Sequence, residues 1–109
     1  MKRVDRNNAY KIAIETTSPT FQAGIAIEEM SELTKELLKN TLRGKDNIQQ
    51  ITEEIADVTL MLEDLQVMYN IKQSDIDKIV EQKIYHMLKI MEQKRQGQPL
   101  SLSSHQKER

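Results

Sequence analysis

The amino-acid sequence predicts an all-α fold, with antiparallel helices packed as a bundle of the four-helix type. Aromatic residues make up only 4% of the 109 residues, whereas leucine, isoleucine and methionine, which favour helices, are frequent. Apolar residues recur at spacings of three and four along most of the chain. Only three glycines and two prolines are available for turns. The predicted helices are therefore long and their connections short, and a short connection returns each helix alongside the one before it.

The first two predicted helices meet at a proline. Helix one is expected to begin at about Asp5 or Asn8 and to end near Thr17, with a weak apolar stripe between. Ser18 is a suitable N-cap, and Pro19 then occupies the first helical position, where the missing amide hydrogen costs nothing. Helix two is therefore expected to start at this step.

Glycine and asparagine mark the boundary between the second and third helices. Helix two is expected to run to about Arg43, because Gly44 can adopt the left-handed conformation that ends a helix. Asp46 or Asn47 can then cap helix three. This helix is expected to extend to about Tyr69.

The fourth helix and the tail complete the predicted organisation. Ser74 and Asp77 resemble a capping box, which predicts a helix start there and an end at about Gln96. The residues beyond are polar and lack helical periodicity. Residues 1–96 are therefore expected to form one all-α domain, and residues 97–109 are expected to be a disordered tail.

Composition narrows the classes of function. The 16 basic and 17 acidic residues are interspersed and give a net charge of -1, which argues against polymeric nucleic acid as a partner. The chain has no cysteine, which excludes disulfides, thiolate zinc sites and a cysteine nucleophile. No apolar run approaches the roughly 20 residues that span a bilayer. We therefore expect a cytoplasmic protein without a membrane segment.

Two pairs of acidic residues occupy unexpected places on helices two and three. Glu29 falls inside the apolar stripe of helix two, and Glu32 follows at the edge of that stripe. On helix three, Glu54 and Asp57 repeat this arrangement in the same register. One such pair means little among 17 acids, but two in matching register are hard to obtain by chance, because acids are rarely buried unpaired. If the two stripes face each other, four carboxylates converge.

Such a cluster requires a cation. Burying each carboxylate without a counter-ion costs several kcal/mol, more than a marginally stable domain tolerates. The candidate ligands are all oxygen atoms, and neither acid-bearing helix carries a histidine, so Mg²⁺, or alternatively Mn²⁺, fits better than zinc or copper. Since Mg²⁺ prefers a few carboxylates together with water and substrate phosphates, the cluster predicts a polyphosphate substrate.

Three further residues are candidates for a role in the same site. Lys83 lies inside the apolar stripe of helix four, where it either contacts the carboxylates or phosphates or extends its ammonium group to water. Glu28 and Glu36 flank the acidic cluster. Each is a candidate general base, and each is also explained as a solvated charge.

Residues 28–32, with the sequence EEMSE, are followed after 21 residues by EIAD at residues 54–57. This pattern resembles the E-E-x-x-E and E-x-x-D signature of MazG-like, all-α nucleoside triphosphate pyrophosphohydrolases. That family is related to the dimeric dUTPases and dCTP pyrophosphatases. The likeness extends over about residues 10–90.

The resemblance implies an activity and a set of site residues. Such enzymes use Mg²⁺ to convert a nucleoside or deoxynucleoside triphosphate to the monophosphate and pyrophosphate. Lys83 matches a helix-four lysine associated with phosphates, and Gln22 matches a glutamine ahead of the acidic motif. The family's metal ligands match Glu29, Glu32, Glu54 and Asp57.

The expected assembly is a homodimer or homotetramer. The resemblance implies it, and apolar residues outside the main stripes, such as Ile27, Leu38 and Leu60, favour it. Two alternatives to the enzyme stay open. The chain would otherwise be a non-catalytic helical adaptor, or a protein that binds and senses nucleotides without turnover.

Overall fold

The computed structural model describes residues 1–97, and these residues form four α-helices and no strand. The all-α prediction is confirmed for this part of the chain. None of the described helices combines the length and the apolar character needed to cross a membrane. Most of the predicted tail, residues 98–109, lies outside the described residues. The helices are α1 (Arg3–Thr16), α2 (Pro19–Arg43), α3 (Ile48–Met68) and α4 (Gln73–Arg95).

Both predicted ends of α2 are confirmed. The Ser18 hydroxyl oxygen accepts a hydrogen bond from the Phe21 amide at 3.1 Å, and Pro19 occupies the first turn. At the other end, Gly44 has φ +62°, and its amide donates to the Asn40 carbonyl. The left-handed conformation is free of strain for a residue without a Cβ atom, so α2 stops where the glycine stands.

The predicted caps of α3 and α4 are wrong in detail. Asn47 precedes α3, but its side-chain amide donates to the main-chain oxygen and to the carboxylate of Glu36, at 2.9 and 2.8 Å, instead of capping the helix. The Asn47 side chain thus links α3 to α2 instead of capping α3. Helix α4 begins at Gln73 after Lys72, which provides no side-chain cap, and Ser74 lies within the helix. The proposed capping box is therefore absent.

The described residues divide into two compact units, residues 1–71 and residues 72–97. In the first unit, α2 and α3 pack as an antiparallel pair, and α1 packs against α3. Two side chains of α1 bind one carboxylate of α3. The Arg6 guanidinium donates a hydrogen bond to the Glu63 carboxylate at 2.8 Å, and the Tyr10 hydroxyl donates to the same carboxylate at 2.8 Å. The second unit contains α4.

The apolar core is small. Among the described residues, the buried apolar side chains are Tyr10, Ala26, Met61 and Ile90. By contrast, Ile55 and Leu62, which belong to the predicted apolar stripe of α3, are each 50% exposed. The apolar stripe of α3 is wider than the surface that one neighbouring helix covers, so the outer edge of the stripe faces solvent. A chain of this length ordinarily buries more apolar surface than this.

Candidate metal centre

Three of the four predicted metal ligands meet between α2 and α3. Glu29 contributes from α2, and Glu54 and Asp57 contribute from α3; one carboxylate oxygen from each lies within 4.8 Å of the others. The antiparallel register places these helix segments side by side, and the spacing of three residues puts Glu54 and Asp57 on one side of α3. Glu29 and Glu54 are half-buried, whereas Asp57 is exposed.

Glu32 lies at the edge of this cluster. It does not join the group of three ligand atoms, and its carboxylate is 3.7 Å from the Lys35 ammonium one turn along α2. Its charge nevertheless contributes to raising the pKa of both Glu29 and Glu54. Glu32 is therefore near enough to act on the cluster electrostatically.

The carboxylates of the cluster repel one another. Burial raises the pKa of Glu29 above its ordinary value, and the charge of Asp57, together with a hydrogen bond to Asp57, raises it further. Burial and then the Asp57 charge likewise raise the pKa of Glu54. In addition, the Glu54 Oε2 atom is buried and has no hydrogen-bond partner. A positive charge at this point would relieve both the repulsion and the unpaired oxygen.

The geometry suits a hard divalent cation. Mg²⁺ binds oxygen at about 2.0–2.1 Å, so two ligands on opposite sides of the ion are about 4.2 Å apart. One carboxylate oxygen from each of the three residues lies within 4.8 Å of the others, which is close to this separation. The ligand set of carboxylates alone is typical of Mg²⁺ or Mn²⁺ and unlike that of zinc. The residues thus fit the predicted ion.

The two candidate bases have different surroundings. Glu36 accepts hydrogen bonds from Asn47 and from the Lys39 ammonium, the latter at 3.2 Å, and these contacts lower its pKa. A carboxylate that connects the end of α2 to the start of α3 and binds its proton less tightly is poorly suited to take a proton from water. Glu28 is an exposed residue of α2.

Gln22 and Lys83 are the residues predicted to contact substrate. Gln22 is buried in α2, two turns before Glu29, and its amide donates to the Thr17 hydroxyl oxygen at 3.0 Å. Thr17 in turn donates to the Ala13 carbonyl at 2.7 Å. Gln22 thus connects α2 to the residue that directly follows α1, two turns along α2 from Glu29. Lys83 is a half-buried residue of α4.

Two buried acids near the end of α3 were not predicted from the sequence. Glu63 and Asp64 are both buried, yet neither interrupts an apolar stripe in the way that Glu54 does. Glu63 is explained by Arg6 and Tyr10, which are spaced by one turn on α1 and both donate to it. Both carboxylate oxygens of Asp64 lack a hydrogen-bond partner. Only the packing of the helices identifies these positions.

Comparison with known proteins supplies no family for this chain. No protein-family model matches it, and no curated protein or solved structure is similar enough to count as a match. The function is therefore inferred from the side chains described above.

Proposed function

We propose that this protein hydrolyses nucleoside or deoxynucleoside triphosphates to the monophosphate and pyrophosphate, with Mg²⁺ as its cofactor and Mn²⁺ as a possible substitute. The observation that carries the proposal is the meeting of Glu29, Glu54 and Asp57 within 4.8 Å between two antiparallel helices. The buried, unpartnered oxygen of Glu54 supports it, because such an atom is costly unless a ligand binds it. The same three residues belong to the EEMSE and EIAD segments, on which the resemblance to the MazG-like pyrophosphohydrolases rests.

The residues have separate tasks in this proposal. Glu29, Glu54 and Asp57 would hold the ion, and Glu32 at the edge of the cluster would complete its ligands or accept a hydrogen bond from its water. When bound, the ion neutralises triphosphate charge and makes water a better nucleophile. Lys83 and Gln22 are proposed to bind the substrate. Glu28 is the better candidate for the base, because Glu36 is occupied by Asn47 and Lys39.

We infer an antiparallel four-helix-bundle arrangement of the MazG-like type, to which the four described helices are suited in number and length. A homodimer or homotetramer belongs to the same proposal. The small apolar core of the single chain supports it, because subunit contacts would bury the remaining apolar surface.

The decisive experiment is a panel of ribonucleoside and deoxyribonucleoside triphosphates with Mg²⁺, analysed by ion-exchange chromatography and by phosphorus NMR. We expect monophosphate and pyrophosphate as products. Replacement of one metal ligand should lower the rate by about 100-fold or more, since the ion both neutralises charge and activates water. The variant is Glu54→Gln, and the matched control is Glu53→Gln, the exposed neighbour on α3, which should keep the wild-type rate.

Other products would overturn the assignment. Diphosphate with orthophosphate would mean cleavage at a different phosphoanhydride bond. If Mg²⁺-dependent nucleotide binding is measured by calorimetry without any product, the chain is a nucleotide sensor. If neither Mg²⁺ nor nucleotide binds, the helical adaptor becomes the better description.

A further inference from the structure

The C-terminal end of α2 extends beyond the start of α3. Asn47 immediately precedes α3, and its side-chain amide donates to the main-chain oxygen of Glu36 at 2.9 Å, so α3 begins opposite Glu36. Helix α2 continues for about two more turns, to Arg43. The loop that follows lies against the side of α2 that carries Asn40, whose side-chain amide donates to the Lys45 carbonyl at 3.0 Å. Within residues 1–71, neither α3 nor this loop covers the opposite side of the helix end.

A half-open groove of about 470 Å³ lies on that side. We call it the α2 basic groove, and its lining residues are Lys35, Leu38, Lys39, Leu42 and Arg43. The three cations are spaced by four residues and form one row along α2, and the two leucines, also four apart, form a second row beside it. Leu38 is 51% exposed and Leu42 is 76% exposed, and both lie about 160° around the helix from Asn40. The groove therefore has a charged side and an apolar side.

The charged side is available to an anion. Its lining residues include no acid. The Lys35 ammonium lies 3.7 Å from the Glu32 carboxylate one turn earlier, and the Lys35 side chain is 62% exposed. The Lys39 ammonium lies 3.2 Å from Glu36. Pairs of this kind at a protein surface contribute at most about 1 kcal/mol, so they do not prevent the lysines from meeting a second anion. Arg43 is exposed, and no acid of the described residues forms an ion pair with it.

We propose that the α2 basic groove binds an acidic amphipathic helix of a partner protein. Rows of residues four apart are the ridges by which helices pack, so a partner helix can place acids along the cation row and apolar side chains along the leucine row. Opposite charges favour the encounter and fix the register, and the apolar contacts add affinity. The groove contains none of the candidate metal ligands, so this inference does not depend on the proposed enzyme activity.

Other anionic or nearby partners fit the groove less well. Glu32 and Glu36 border the cation row, so an extended surface such as an anionic bilayer or a nucleic acid would meet these acids as well as the cations. A helix contacts only a narrow strip and avoids them. The chain's own residues 98–109 have Lys107, Glu108 and Arg109 as their charged residues, and such a segment does not complement a basic groove.

Fluorescence anisotropy with a labelled model helix tests the charged row. The probe has glutamates four residues apart and a leucine three residues after each glutamate, which are the offsets of the groove itself and suit an antiparallel helix. We expect this peptide to bind the full chain, less tightly at high salt, and the same peptide with lysines for glutamates not to bind. Arg43→Glu should weaken binding by about 10-fold or more. The matched control, Lys11→Glu, makes the same charge change at an exposed residue of α1 and should bind like the wild type.

The apolar row has a matched pair of its own. Leu42→Ala should weaken binding of the acidic peptide by about 10-fold, whereas Leu60→Ala, at a leucine of α3 that is 48% exposed, should leave it unchanged. If a variant loses its helical circular dichroism, backbone amide NMR of the wild type replaces it, and the peptide should shift the signals of residues 35–43. No binding of the acidic peptide, equal effects of Arg43→Glu and Lys11→Glu, signal shifts confined to other residues, or tighter binding to vesicles containing phosphatidylserine would overturn the proposal.

Discussion

Two glutamates of α3 occupy opposite electrostatic situations nine residues apart. Glu63 accepts hydrogen bonds from the Arg6 guanidinium and the Tyr10 hydroxyl, and the Arg6 hydrogen bond is the main reason that its pKa is lowered. Glu54 has a buried oxygen without any hydrogen-bond partner, and burial with neighbouring carboxylates raises its pKa. Both oxygens of Glu63 thus accept hydrogen bonds from the chain, whereas the Oε2 atom of Glu54 accepts none.

The difference separates a structural acid from a candidate ligand-binding acid. A carboxylate that the chain itself supplies with donors stabilises the fold and has little left to offer a ligand. A carboxylate surrounded by other carboxylates lowers the stability of the metal-free chain, and it becomes favourable only when a cation binds. Removing the charge of Glu63 should therefore lower the stability of the metal-free chain, whereas removing the charge of Glu54 should raise it.

The largest expected effect on stability comes from Glu63→Ala. The substitution leaves the buried Tyr10 hydroxyl without its acceptor and removes the carboxylate that holds α1 on α3. Arg6 is partly exposed and regains water, which reduces the loss. We expect the free energy of unfolding to fall by about 2 kcal/mol in urea titrations at neutral pH.

The pH dependence checks the cause of that loss. Since the pKa of Glu63 is lowered, its stabilising contribution is present above the ordinary value of 4.5 and is lost as pH falls through the lowered pKa. The difference between wild type and variant should shrink in acid. An equal difference at every pH would assign the effect to lost packing, and Glu53→Ala should have little effect throughout.

Mg²⁺ should produce the next largest effect, and it should act through Glu54. An ion that binds only the folded chain raises the melting temperature, by about 5 °C or more when it is well above its dissociation constant. Glu54→Gln should lose this shift, whereas Glu53→Gln and Glu63→Ala should keep it. If Mg²⁺ leaves the melting temperature of the wild type unchanged in a scanning fluorimetry series, the contrast between the two glutamates has no functional meaning.

The sequence was sufficient where local chemistry decides the outcome. The cap at Ser18, the left-handed Gly44 and the approach of Glu29 to Glu54 and Asp57 follow from residue type and spacing, and the structure has each of them. Glu32, which was predicted in the same set, lies outside this group of three. The acids were recognisable because they interrupt apolar stripes. The register itself then brings Glu29 to Glu54.

Tertiary packing decided what the sequence did not predict. Asn47 reads as a helix cap, but contact with Glu36 redirects its amide. Leu62 reads as a core residue, but α2 and α3 meet along a narrower seam and leave it half exposed. Glu63 carries no local sign of burial, because its donors come from α1, more than 50 residues earlier. Long-range partners of this kind are not encoded in helical periodicity.

Asp64 provides the smallest and most selective test of the comparison between satisfied and unsatisfied acids. It is 1% exposed, both its oxygens lack partners, and burial alone raises its pKa. A carboxyl with a raised pKa stabilises the fold below its ordinary value of 3.8, and this contribution is lost as pH rises through the raised pKa. The Asp64→Asn variant has no ionisable group at this position, so its stability does not fall in this way as pH rises.

At neutral pH, Asp64→Asn should therefore unfold at higher urea concentration than the wild type, by about 1 kcal/mol, and the two should converge in acid. Glu63→Ala has the opposite sign at neutral pH. If Asp64→Asn is instead less stable than the wild type at neutral pH, the ionised carboxylate has a stabilising partner. Asp64 would then belong with Glu63 among the satisfied acids of α3.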